Sequence, residues 1–123
     1  MKLTLAALLL STTSAFAASE KFCPELRQVR REMSVVADNI VNVETTRTPE
    51  GGPYRMKRRV CVDGVCTIKR IKTFKAVYQP EHPDADENGY VSYPGYSLKS
   101  QSDKMDHLVV DYEVAARACD SQN

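Results

Sequence analysis

Four cysteines, Cys23, Cys61, Cys66 and Cys119, are the residues of this 123-residue chain with the most obvious capacity for chemistry. An even count permits two disulfides in three possible connectivities. Cys61 and Cys66 bracket Val62-Asp63-Gly64-Val65, and an Asp-Gly pair between apolar residues is a strong two-residue hairpin signal. That turn sets Cys61 opposite Cys66 in a non-hydrogen-bonded pair. Such pairs bring Cα atoms to about 4.5 Å, near the short end of disulfide geometry. By elimination Cys23 is expected to pair with Cys119. A metal site is the competing use of these thiols. The C-x4-C spacing has no histidine beside it, and His82 and His107 sit in unrelated contexts, so no metal is expected.

A second cluster, Asp84-Ala85-Asp86-Glu87-Asn88-Gly89, matches the first half of a calcium-binding EF-hand loop. Its twelfth position is Gly95, where a bidentate glutamate belongs, and no amphipathic helices flank it. The preferred reading is an acidic turn. No nucleophile elbow, phosphate loop, paired-histidine motif or Cys-His dyad is found. No catalytic residue and no cofactor are therefore expected.

These residues need elements to position them. The chain opens Met1-Lys2 and runs through an apolar stretch to Ala15-Phe16-Ala17, the three-part pattern of a secretory signal peptide. Residues 1–17 are expected to be removed. That run is too short to span a bilayer, which takes about 20 apolar residues, and nothing later in the chain is apolar enough. Seventeen Lys+Arg against 16 Asp+Glu give no reason to expect nucleic acid as a partner. Phe22, Leu26, Val29, Met33, Val36, Ile40 and Val43 alternate spacings of four and three, the seam of a helix that pairs with another helix. This predicts a helix over 22–43, with Pro24 in its first turn. A β region over 54–93 follows, with strands at 54–62, 65–77 and 90–93. Its hairpin is basic (Arg55, Lys57, Arg58, Arg59, Lys69, Arg70, Lys72, Lys75), either a surface for an acidic partner or the charged, solvated face that guards a small sheet. Met105, Leu108, Tyr112, Ala115 and Cys119 repeat the seam in a helix over 103–118, with Asp103 as its N-cap. The fold class expected is α+β, with the terminal helices paired as a short antiparallel coiled coil around a small β region. Antiparallel packing would carry Cys119 to Cys23.

Three stretches resemble a known family. Ala37-Asp38-Asn39-Ile40-Val41-Asn42 resembles the Asn-rich motif of flagellar rod and hook proteins. Pro49-Glu50-Gly51-Gly52-Pro53-Tyr54-Arg55-Met56-Lys57 and the segment from Tyr78-Gln79-Pro80 to Gly89-Tyr90-Val91 resemble ordered motifs of the proximal, FlgC-like flagellar basal-body rod proteins. The resemblance implies a rod-protein-like domain over 18–123 and a non-catalytic structural role in, or beside, the flagellar basal body, with rod or basal-body proteins as partners and self-association possible. Transferred to this chain, Met33, Val36, Ile40, Val43, Leu108, Tyr112 and Ala115 would form the helical assembly surface. Asn39 and Asn42 match the motif's asparagines, whose side chains would bond the backbone locally at the helix exit. The signal peptide places that action in the periplasm. The alternative expectation is a free-standing periplasmic binding module that uses the basic hairpin as its ligand surface.

Overall fold

A computed structural model describes residues 23–121. The expected signal peptide at 1–17 and Phe22 of the first seam lie outside the described residues. Among the described residues two helices flank four strands: α1 (Pro24–Val41), β1 (Met56–Val62), β2 (Val65–Ile71), β3 (Phe74–Tyr78), β4 (Tyr90–Pro94) and α2 (Leu98–Ser121). The class is α+β, with two separate two-stranded antiparallel sheets, β1-β2 and β3-β4.

Helix α1 opens with Pro24 in its first turn, where a missing N–H leaves no helical bond unmade. It ends two residues earlier than its periodicity predicts. Asn42 N–H donates to Asp38 O at 3.2 Å and Val43 N–H to Ile40 O at 3.5 Å, so Val43 lies in the turn that leaves the helix. Helix α2 corrects the sequence reading at both ends. It begins at Leu98, and its cap is Ser97, whose Oγ accepts from Ser100 N–H at 3.1 Å. Asp103 is an interior residue and takes the ammonium of Lys99 at 2.7 Å, one turn earlier. The first turn carries no apolar periodicity because Leu98 is exposed, which hid the true start.

In the first hairpin Asp63 and Gly64 both adopt positive φ, 50° and 77°, the backbone of a type I′ turn that suits the twist of the flanking strands. The register follows, with Val62 opposite Val65 and Cys61 opposite Cys66. The single strand expected over 65–77 is in fact two. A tight turn at Lys72–Thr73, with Thr73 N–H bonded to Ile71 O at 3.1 Å, ends β2. β3 then leaves for a different partner, β4, with Val77 opposite Val91. Gly95 locks this change of direction: its N–H donates to Thr73 O at 2.6 Å, and a Cβ there would stand 2.7 Å from the Thr73 carbonyl carbon.

The two helices run antiparallel side by side. The start of α1 is bonded to the end of α2 through Cys23–Cys119, and Asn39 near the end of α1 meets Gln101 near the start of α2. Buried residues recur on α2 at Gln101, Leu108 and Cys119. At the disulfide end Cys23, Leu26 and Cys119 form a small core against which Tyr112, Ala115 and Ala116 pack. Val36 and Val91 are essentially inaccessible. No helix among the described residues is long and apolar enough to cross a membrane.

Candidate functional site

The centre of the molecule is polar. Asn39, 2% exposed, has all four side-chain hydrogen-bonding positions filled. Its amide nitrogen donates to Lys57 O at 2.9 Å and to Gln101 Oε1 at 3.0 Å. Its amide oxygen accepts from Lys57 N–H at 2.9 Å and from the Tyr54 hydroxyl at 3.0 Å. The Tyr96 hydroxyl donates to its main-chain oxygen at 2.7 Å. An amide can pair in this two-donor, two-acceptor manner with a strand edge, and a buried polar side chain is tolerated only when so paired. One residue therefore joins α1, β1, α2 and the approach to α2.

This corrects the local role expected of Asn39. Asn42 does behave locally: its amide donates to Asp38 O at 2.9 Å and accepts from the Thr45 hydroxyl at 3.0 Å, fixing the exit turn. Asn39 instead works across the fold. Its partners Tyr54, Lys57, Gln101 and Tyr96 were not singled out from the sequence as site residues. Tyr54 and Lys57 stand in the second family-like stretch, which was the available signal for them. Burial raises the Tyr96 phenol far above its ordinary pKa, with Tyr54 adding to the effect. Burial and the nearby Asp38 carboxylate likewise raise Tyr54, against the pull of Arg70.

Ion pairs fasten the first hairpin to the helices around this junction. Lys57 meets Asp38 at 2.8 Å. Glu32 lies between Arg59 at 3.8 Å and Lys104 of α2 at 3.1 Å. The basic hairpin is thus divided: Lys57 and Arg59 turn toward α1, while β2 is exposed over nearly its whole length. The acidic loop is occupied with its own architecture. Asp84 accepts from the Thr46 hydroxyl at 2.7 Å and pairs with Arg47 at 2.6 Å. Asp86 accepts from the backbone N–H groups of Asn88 and Tyr90, each at 2.9 Å.

Of the seam residues, Val36 and Leu108 are buried, and Met33, Ile40, Val43, Tyr112 and Ala115 are half-buried within this chain. Exposed apolar side chains of the helices lie off this seam, at Val41 of α1 and at Leu98, Val109, Val110 and Val114 of α2. Both cysteine pairs are bonded, Cys23 to Cys119 with Cα atoms 5.8 Å apart and Cys61 to Cys66 with Cα atoms 4.0 Å apart. The first is buried and the second exposed.

These features define a class: a helix-paired α+β scaffold whose central polar cluster serves to hold elements together. Known proteins of that kind are similar in sequence. The chain is 30% identical to the flagellar basal-body rod protein FlgC of Aquifex aeolicus over 102 residues, covering 72% of this chain and 75% of that one. It is 29% identical to FlgC of Borreliella burgdorferi over 76% of each chain. It is 34% identical to FlgC of Salmonella typhimurium over 80 residues, 55% of this chain and 60% of that one. No family profile matches the chain. The chain belongs to the FlgC family of flagellar basal-body rod proteins.

Proposed function

We propose that this protein is exported by removal of residues 1–17 and acts in the periplasm as a non-catalytic structural part of, or accessory to, the flagellar basal-body rod. Its terminal helices pair as a short coiled coil and offer their outer faces to neighbouring subunits. Family membership supports the location, since the relatives are named as rod proteins. The observation that carries the mode of action is the outward apolar stripe of α2. Val110 and Val114, one helical turn apart, are 58% and 63% exposed, and Val109 beside them is 41% exposed. An apolar stripe left in water on a helix already packed on its other side is what a further helix would cover. The inner seam at 101, 105, 108, 112, 115 and 119 keeps the three-four spacing of knobs-into-holes packing.

The test is purification of intact basal bodies from the native organism, with mass spectrometry of the chain and of its N-terminus. Stoichiometric recovery beginning at Ala18, together with loss of motility on deletion, is the expected result. Mature protein found free in the periplasm of the native organism and absent from its basal bodies, with motility retained on deletion, would overturn the reading. The double variant Val110→Glu/Val114→Glu should fold normally yet fail to enter basal bodies.

A further inference from the structure

The first hairpin carries its disulfide on the face that looks toward α1. Arg59, Cys61, Cys66 and Ile68 share that face through the register Cys61↔Cys66 and Arg59↔Ile68. A groove of about 270 Å³ runs between the start of α1 and the hairpin, lined by Arg27, Gln28, Arg31, Arg59, Cys66 and Ile68 among others. No carboxylate lines it. Glu32 lies 3.8 Å from Nη1 of Arg59, the guanidinium nitrogen that does not contact the sulfur. That guanidinium donates to Cys66 Sγ at 3.0 Å. A sulfur–sulfur bond at the end of a three-arginine groove, with both cysteines exposed, differs sharply from Cys23–Cys119, whose cysteines are 8% and 4% exposed.

We propose that Cys61–Cys66 is a thiol-exchange site for an anionic thiol, seated in the Arg27, Arg31 and Arg59 groove. Disulfides exchange by attack of a thiolate on one sulfur, and access decides which bond and which sulfur react. Cys66 lines the groove and Cys61 does not. A thiolate seated there therefore attacks Cys66 Sγ. A new bond forms between the thiol's sulfur and Cys66 Sγ, the Sγ–Sγ bond breaks, and its electron pair leaves on Cys61 as a thiolate. A second thiol of the same kind can then displace Cys66, giving the oxidised small-molecule disulfide and the two-electron-reduced hairpin. Arg59 donates to Cys66 Sγ, the sulfur attacked in the first step and released as a thiolate in the second, and Arg27 and Arg31 would face the carboxylates of the incoming molecule. Because the Asp63-Gly64 turn and the strand ladder fix the hairpin without the bond, the site can open and close while the fold stays in place.

The experiment exposes the oxidised protein to glutathione as the anionic thiol, 2-mercaptoethanol as the neutral one and cysteamine as the cationic one. Free thiols are alkylated at timed intervals and mapped by mass spectrometry. Cys61–Cys66 should open about a hundredfold faster than Cys23–Cys119, with the first glutathione adduct on Cys66. Arg27→Gln/Arg31→Gln should slow glutathione, whose attacking form carries two negative charges, about tenfold, slow 2-mercaptoethanol, whose thiolate carries one, less, and affect cysteamine, whose attacking form is a zwitterion, least. Comparing each thiol with itself across variants removes differences in intrinsic nucleophilicity. Bridges opening together, an adduct on Cys61, or rates with glutathione that ignore the loss of both arginines would each overturn the proposal.

Discussion

Asn39 and Gln101 stand 62 positions apart in sequence and are hydrogen bonded at 3.0 Å in the buried centre of the molecule. With the disulfide between Cys23 and Cys119, that bond ties the helix pair at both ends. The polar tie also holds β1 and Tyr54, so its loss should be felt beyond the helices.

Asn39→Ala would leave Lys57 N–H, Lys57 O, the Tyr54 hydroxyl and Gln101 without their partner. Each buried group stripped of a partner costs about 1–3 kcal/mol, less whatever water can restore. The expected loss is about 3 kcal/mol by urea denaturation, against about 1 kcal/mol for Asn42→Ala, which removes only local bonds of the exit turn. Equal losses at the two sites would mean that the junction is wet and contributes little.

The two disulfides should differ in their contribution. Cys23–Cys119 spans a sequence separation of 96 and Cys61–Cys66 one of 5. In the chain-entropy argument, a cross-link over about 100 residues is worth about 4–5 kcal/mol and a loop of a few residues about 2 kcal/mol. Thermal melts of Cys23→Ala/Cys119→Ala and Cys61→Ala/Cys66→Ala should fall in that order, the long-range pair costing more. The hairpin variant should keep its strand register because Asp63 and Gly64 already supply the turn.

Stability should fall at alkaline pH because of Tyr96 and Tyr54. Both phenols are raised in the folded state, Tyr96 strongly. A group whose folded pKa lies above its unfolded value holds its proton more tightly when folded. Its contribution is therefore complete below the unfolded pKa, about 10 for tyrosine, and is lost as pH rises above that value toward the folded pKa. Tyr96→Phe should lose about 1 kcal/mol at neutral pH from the missing bond to Asn39 O and show a shallower decline above pH 10. An unchanged slope in that variant would place the alkaline sensitivity elsewhere.

Acid should act on a different contact. The Thr46 hydroxyl and, after it, the Arg47 guanidinium hold the Asp84 carboxyl below its ordinary pKa. A lowered folded pKa gives stability that is present above the unfolded value, about 4, and lost as pH falls through the folded one. Docking of the 79–89 loop on the 45–48 turn should loosen over that range. Amide exchange of Ala85 and Asp86 reports it, and Asp84→Asn should flatten the acid dependence of those amides.

How much of this was legible depended on how local the determinant was. The hairpin register follows from two adjacent residues, Asp63 and Gly64, and the two helices were visible from a repeat that each carries alone. The split of the expected strand at Lys72–Thr73 had no Pro or Gly to announce it, because its determinant is Gly95, far along the chain. The start of α2 after Ser97 was obscured by a first turn whose buried residue, Gln101, is polar and whose apolar one, Leu98, is exposed. Asn39 was visible as a motif residue, but a side chain does not show from its own neighbourhood that it will bond Lys57 and Gln101. The exposed Val109, Val110 and Val114 fall off the seam, so periodicity assigned them no role.

Gly95 gives the most direct test of that non-local determinant. Its Cβ position is 2.7 Å from the Thr73 carbonyl carbon and 2.8 Å from Phe74 N. Both are backbone atoms, so no side chain can swing away, and the Gly95–Thr73 bond at 2.6 Å draws the segments together. Gly95→Ala must push the end of β4 away from the start of β3. A backbone shift of this kind costs about 1–3 kcal/mol, and it should be confined to the β3-β4 ribbon. Amide exchange should rise at Phe74–Tyr78 while the β1-β2 hairpin keeps its protection. Uniform loss of protection over both ribbons would show that the two sheets unfold as one unit and that the turn at Thr73 is not an independent boundary.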